Sequence, residues 1–588
     1  MSPMIATVKS VMRSTAIAGI GTAALSCAAP RPFPLREPFL VDTDLRPVSV
    51  PCRPDPSDKE PDRKTCAPRE YVSPFVWDQV DNIFFARLSR GLSVEVHGAA
   101  VNVNAFDEVP DSAWFTNRPR TGAPPDDGAP GACTPDDMLP PQDQVDDGGW
   151  LIDHGKDNGS TKGFRINVRG KGIYMLKADD EGKPERASAA SVIGSAIYDA
   201  IGFNTTCEQI VVLRRSQLKL SPGLKVVDND GVSHPFDDAA LDQVLAGTTQ
   251  LPGDLVRMQA SKWLPGLPIG PFRYIGTRPD DPNDVIDHAN RRELRGGRVL
   301  AAWLDHWDSR EQNSMDVWVA ADPKDKRSSP GHVMHYFLDT SDTLGGGIWL
   351  SDMARRLGYS YTLDFADIFR SLFTLGVEER PWDRAQTVPG REKFGYFRTT
   401  DFEPDSWKPL YPNPAFLRMT ERDAAWMARI IARFSIDDVR RMVALGQWRD
   451  PSDAEYLTHI LVERQRRILV RYFGRLSPLG EVRAAAPDRI CATDFARLRA
   501  VFPAGMFHYT VVERGAGRRV ALTAEAAGEG ELCFRAQPVV SGSFADGDPA
   551  RIVTFEVRNG TGAGPLVIQA YDLGARGMRV VGLTRSEG

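Results

Sequence analysis

Cysteine, long apolar runs and net charge are all scarce in this chain, and each scarcity narrows its class. Beyond the N-terminus no apolar stretch approaches the ~20 residues of a membrane-spanning helix. The formal net charge of −6 over 588 residues leaves no basic excess for a nucleic-acid partner. The seven cysteines form no CxxC or Cys/His cluster, so no zinc site is expected. No internal repeat is evident, and the chain is too long for one hydrophobic core, so several domains are expected.

The first 27 residues carry an export pattern. Lys9 and Arg13 make a basic start, and Ser14–Ser26 is a short stretch of small and apolar residues. Ala24-Leu25-Ser26-Cys27 is similar to a bacterial lipobox, with Leu one place nearer the cysteine than usual. Lipid on Cys27 and ordinary cleavage near Ala28 are therefore both open. An exported chain is free to oxidise its thiols. With Cys27 acylated, six cysteines remain: Cys52 with Cys66, across a Pro- and Asp-rich loop, is the first pair expected, and Cys491 with Cys533 the second. The expected compartment is the periplasm or cell envelope, with the membrane reached through lipidated Cys27.

Residues suited to chemistry concentrate in two stretches. Trp303–Asp316 contains His306-Trp307-Asp308, four further residues, and Asn313. Such a loop presents a carboxylate to an acceptor hydroxyl and an amide oxygen to a metal ion. Two strand-like segments follow, 315–320 and 333–338, and the second ends on Asp339-Thr340-Ser341-Asp342. Upstream, the turn Gly155–Gly163 (GKDNGSTKG) joins strands 150–153 and 164–168, and a third strand, 173–176, delivers Lys177. Glycines let backbone N–H groups approach a phosphate, and Lys162 adds charge there. Pro184–Ile201 is a helix with an apolar stripe through Ala189, Ile193, Ile197 and Ile201. Glu185 lies on its inward face, where an acid needs a partner, and Lys177 is the expected one. Each piece also has a plainer explanation as a hairpin tip, a helix dipole complement or a turn carboxylate. The acidic and aromatic run Asn104–Asn117 is either a ligand surface or a loop capped by its own side chains, the second being the commoner arrangement.

The spacing H-x-D-x4-N, the carboxylate after the next hairpin, and the order strand, glycine turn, strand, turn, strand, Lys resemble the protein-kinase-like superfamily. The resemblance covers roughly residues 146–480 and is more to the atypical HipA-like, CotH-like, secretory-pathway and lipid-kinase branches. It departs in the glycine pattern, G-x3-G-x3-G, and in the absence of Phe-Gly after Asp339. It implies ATP and Mg²⁺. Asp308 would act on the acceptor, with Lys177 and Glu185 as its catalytic companions. Gly155, Gly159, Lys162, Gly163 and Lys177 would hold the nucleotide, and Asn313 and Asp339 the metal, with Asp342 the alternative ligand. The acceptor, protein or small molecule, stays open.

The expected architecture is α+β. It comprises an export signal (1–27), a Pro-rich tether (28–72), an N-terminal accessory region (73–148), kinase-like N- and C-lobes (149–271 and 272–486) and a β-sandwich (487–588). Within the N-lobe, 220–254 is a polar insertion without an assigned role, and 264–271 is a Pro/Gly hinge. Two other function classes fit the same residues: a kinase-shaped binding protein without catalysis, and an envelope scaffold that binds through its sandwich.

Overall fold

Residues 150–177 hold three short runs of strand-forming residues separated by glycine turns. They fold as antiparallel strands β1 (Trp150–Gly155), β2 (Gly163–Val168) and β3 (Gly172–Lys177). Gly163 is required by packing, since a Cβ there would lie 2.2 Å from the Leu176 carbonyl oxygen. β4 (Glu208–Arg214) pairs with β5 (Leu255–Lys262), and β5 lies against β3 with Gln259 opposite Lys177. The order is therefore β1-β2-β3-β5-β4 within a seven-stranded sheet. The computed structural model describes residues 42–54, 64–66, 68–72, 74–92, 98–118, 131–156, 161–179, 182–227, 232–346, 354–515, 517–537 and 551–587. The export segment with Cys27, Gly159 and the side chains of Cys52 and Cys66 lie outside the described residues.

Between β3 and β4 runs α3 (Arg186–Ile201), which packs on β4, β5 and the turn 340–342. Its apolar stripe is as expected, but nearly all its other side chains are buried as well. It begins two residues later than the sequence indicates. Glu185 takes a left-handed conformation (φ 69°), and Asp179 supplies the cap by accepting from Ser188 N at 2.8 Å. The polar insertion has a packing role: α4 (Asp238–Ala246) puts Leu241 and Leu245 into one core with Ile152, Phe164 and Leu176.

The following half is mainly helical, with α5 (Arg292–Leu304), α6 (Phe365–Phe373), α7 (Glu421–Ile431), α8 (Ile436–Ala444) and α9 (Pro451–Phe473). α5 is buried apart from Arg298, and its buried charges are paired. Arg292 meets Asp107 at 2.7 Å and Asp423 at 3.2 Å, and Glu293 accepts from Asn102 at 2.6 Å. Asp107 belongs to the acidic run 104–117, which is the self-capped kind. Asn104 Oδ1 accepts from the Phe106 and Glu108 amides, and Trp114 and Phe115 are core residues. After α5, strands β6 (Ser314–Ala320) and β7 (Gly331–Phe337) form a hairpin in a second sheet.

The C-terminal part is a β-sandwich of a four-stranded and a five-stranded sheet, with Ile490, Leu532, Phe534, Phe555 and Ile568 in one core. Its first strand, Leu479–Ala486, precedes the boundary expected at 487. Cys491 and Cys533 are bonded across adjacent strands, as expected. A second disulfide, Cys133–Cys207, has no counterpart in the sequence reading. It joins residues 74 apart, and nothing local signals that these two meet. The backbones of Cys52 and Cys66 face each other in a short antiparallel ladder. Two disulfides fit an oxidising, exported environment. Among the described residues no helix is long and apolar enough to cross a membrane.

Candidate active site

β3 delivers Lys177 to a buried position where its Nζ lies 3.1 Å from Asp339 Oδ1. Asp339 follows β7 after one residue and takes a left-handed conformation (φ 51°), which turns the chain off the strand. Ser341 Oγ donates to the same Asp339 oxygen at 2.6 Å. Arg186 Nη1 on α3 donates to the Ser341 carbonyl at 2.7 Å, so the helix holds the turn. The two approach closely because residue 194 is glycine; a Cβ there would lie 2.7 Å from Thr340 Cβ. Burial works to lower the Lys177 pKa, but the carboxylates of Asp339, Glu208 and Asp342 outweigh it and raise it instead. Burial would raise the Asp339 pKa, yet Lys177, Ser341 and Lys156 hold it far below the usual carboxylate range.

The expected Lys177–Glu185 pair is not formed. The left-handed turn at Glu185 directs its side chain to the helical half, where it meets Arg449 Nε at 2.5 Å and Lys393 Nζ at 3.4 Å. The glutamate beside Lys177 is Glu208, at the head of β4. Glu208 is buried and accepts from Thr206 Oγ1 (2.6 Å), Gln259 Nε2 (2.7 Å) and Ser261 Oγ (2.8 Å). Burial raises its pKa, with Lys177 and these donors opposing. A signal was present in the sequence: an acid opening the otherwise apolar strand QIVVL is costly to bury without a cation.

The second half of the site is the loop after α5. Asp305 closes the helix in a left-handed conformation (φ 55°), and the chain then crosses to β6. Asn313 Nδ2 donates to the Asp308 carbonyl (2.8 Å) and to its Oδ2 (2.9 Å). Arg310 Nε lies 2.7 Å from Asp308 Oδ1. Leu338 N donates to the Asn313 carbonyl at 2.9 Å, which fixes the loop to the strand leading into Asp339. Burial pushes the Asp308 carboxyl up to about 6; Arg310 and Asn313 oppose this and the Asp339 charge adds to it. A carboxylate tuned towards neutrality is useful as a general base. His306 is buried with its Nδ1 2.8 Å from Tyr198 Oη, and burial holds its pKa at about 4, so it is neutral at pH 7. Arg310, a fixed positive charge two residues after Asp308, was not singled out in the sequence although its position on the loop marks it.

The glycine turn is placed differently from expectation. Gly155 is buried by packing, since a Cβ there would meet Val226 at 3.0 Å and Phe236 at 3.3 Å. Lys162 is exposed beside a separate hollow with Asp179, Pro184 and Thr249. The lysine of this turn that reaches the Lys177–Asp339 pair is Lys156, whose charge acts on both. Burial and then Lys177 bring the Lys156 pKa down to about 8, against Asp339.

For a metal, the donors are the Asp339 carboxylate and the oxygen of Asn313, whose NH₂ is turned to Asp308. That oxygen set fits Mg²⁺, which takes one or two carboxylates and completes its shell with phosphate and water. Asp342 also acts on both Lys177 and Asp308, so it too faces the site. Among the described residues, the one set of three His, Cys, Asp or Glu ligand atoms within 4.8 Å of one another is Cys491, Cys533 and Glu531, where the sulfurs are already bonded. No known protein family, curated protein or solved structure matches the chain.

Proposed function

We propose that the chain is an exported ATP- and Mg²⁺-dependent phosphotransferase with a two-lobed, protein-kinase-like core, anchored in the cell envelope through Cys27. The observation that carries this reading is the convergence of three separate stretches. Lys177 from a third strand is ion-paired to Asp339, which directly follows the hairpin whose first strand begins at the Asp308–Asn313 loop. In the kinase arrangement the lysine also sits on the third strand and a loop Asp and Asn stand beside the metal-binding Asp. Lys177 and Lys156 would bind phosphates, and Glu208 would keep Lys177 charged. Asn313 and Asp339 would hold Mg²⁺, which would supply positive charge against the phosphates. Asp308 would take the proton of an acceptor hydroxyl as its oxygen bonds the γ-phosphorus and ADP departs, with Arg310 placed to meet charge on the transferred group.

A binding-only protein is the second reading. It is favoured by the way Lys177 and Arg310 are already closed on Asp339 and Asp308. The test is ADP production from Mg-ATP by the purified full chain. The phosphotransferase reading expects turnover that Asp308→Asn removes while nucleotide binding persists. Nucleotide binding without turnover in the parent would leave the second reading, and no nucleotide binding at all would sink the phosphotransferase.

A further inference from the structure

A continuous apolar face lies outside the site, built from two short helical segments. One is α1 (Phe75–Val80), a π-helical turn (Asp81–Phe85) and α2 (Ala86–Leu92); the other is α6 with the turn after it. On the first, Trp77, Phe84, Phe85 and Leu88 are exposed, and the Trp77 and Phe85 rings meet at 5.9 Å. On the second, Phe369, Leu372, Phe373, Leu375 and Val377 are exposed, Leu375 by 85%. Phe84 packs edge-on against Phe365 at 5.4 Å and joins the segments, and Arg87 stands over the ring of Tyr361, just before α6. α6 has the i, i+3, i+4, i+7 apolar pattern that normally faces a core, yet none of its side chains is buried. An outward apolar face of this extent marks an interaction surface.

We infer that this face docks on a phospholipid bilayer. Its side chains are aromatic and aliphatic and, Trp77 apart, carry no hydrogen-bond donor or acceptor; a protein interface of similar size would carry several. Aromatic and leucine side chains on short helices lying flat are the composition of an interfacial membrane contact. Of the nearby acids that would repel anionic headgroups, Asp78 is tied inward to Tyr411 and Asp364 to Lys408, while Glu378 and Glu379 are paired at the surface with Arg370 and Arg384. The chain length agrees: an acylated Cys27 lies about 15 residues before Asp42, a reach of at most about 50 Å. That last point rests on the lipobox reading; the face itself does not. Asp78 also reaches Gln312 at 3.4 Å, so the face lies beside the Asp308 loop.

The experiment is flotation of the full chain with phosphatidylethanolamine/phosphatidylglycerol vesicles. All proteins carry Cys27→Ser, so none is acylated and all share one N-terminus. Phe369→Asp/Phe373→Asp and, separately, Trp77→Asp/Leu88→Asp are compared with this parent. Each pair is expected to lower vesicle affinity at least tenfold with an unchanged urea midpoint. The two pairs lie on different segments, so one readout survives if the other variant does not fold. Equal vesicle binding by a folded variant overturns the proposal. So does a parent that is dimeric without lipid while the variants are monomeric, since the occupant is then a second copy.

Discussion

Asp308→Asn separates a catalytic carboxylate from a structural one through stability as well as rate. Burial raises the Asp308 pKa from 3.8 to about 6, so the folded state holds its proton more tightly than the unfolded chain does. A raised pKa contributes stability that is complete below the unfolded value and is lost as pH rises through the folded one. With these two values the contribution is on the order of 1 kcal/mol at pH 5 and close to zero at pH 8. Asparagine cannot titrate, so the parent should lose on the order of 1 kcal/mol relative to the variant between pH 5 and pH 8. Urea unfolding of both proteins at several pH values measures it. Any ADP production by the parent should rise with pH through about 6, as Asp308 becomes the base, and be absent in the variant at every pH. Unfolding free energies that run parallel from pH 5 to 8 would refute the reasoning, because Asp308 would then be an ordinary paired carboxylate.

Three further outcomes follow from the geometry. Glu208→Gln should weaken Mg-nucleotide binding by loosening Lys177, whereas Glu185→Gln should leave it and change only the urea midpoint; calorimetric titration checks the order. Asp107→Asn should cost roughly 3–5 kcal/mol in urea unfolding, since Arg292 and Arg585 lose a buried partner at once. The Asp107 pKa is lowered to about 2 from 3.8, burial notwithstanding, by Arg292, Arg585 and Arg429. Its contribution is therefore present above pH 4 and fades as pH falls towards 2. Replacing Cys133 and Cys207 by Ser should cost about 4 kcal/mol, as the bond closes a loop of 74 residues in the unfolded chain. Peptide mapping that finds both thiols free would remove the bond.

Much of this arrangement could be read in the sequence where the signal is local. The three strands before Lys177, the hairpin ending at Asp339 and the loop from His306 to Asn313 follow from alternation, glycine turns and spacing. The Cys491–Cys533 bond was expected as well, though not the strand Arg489–Asp494 that carries Cys491. What could not be read depends on backbone conformation or on distance. Glu185 has the right offset from Ala189 for an inward acid, but its positive φ points the carboxylate to Arg449 and Lys393 instead. Glu208 replaces it only because β4 pairs with β5 in a register that sets Ser261 opposite Glu208 and Gln259 opposite Lys177. Gly155 looks like a phosphate-loop glycine and is explained by Val226 and Phe236 from an insertion that fills a core. Asp107 ties α5, α7 and the last strand of the sandwich together across residues no local pattern connects.

On the phosphotransferase reading, the Lys177–Asp339 pair would also set the order in which a nucleotide and its metal come. A phosphate that draws Lys177 to itself would leave the half-buried Asp339 without its nearest cation, which is unfavourable. A divalent ion held by Asp339 and Asn313 would remove that cost, because Lys177 would then face phosphate while Asp339 faced the metal. Binding should therefore be strongly metal-dependent in the parent. Asp339→Asn removes the stranded charge as well as the metal ligand, so its weakened nucleotide affinity should hardly change when Mg²⁺ is chelated. Asp342→Asn should keep most of the parent's metal dependence, since the carboxylate 3.1 Å from Lys177 Nζ is that of Asp339. Titration of nucleotide into the three proteins, with Mg²⁺ and with EDTA, distinguishes them. Parent affinity that is the same in EDTA would show that nucleotide does not displace Lys177 from Asp339, and the site would have to lie elsewhere.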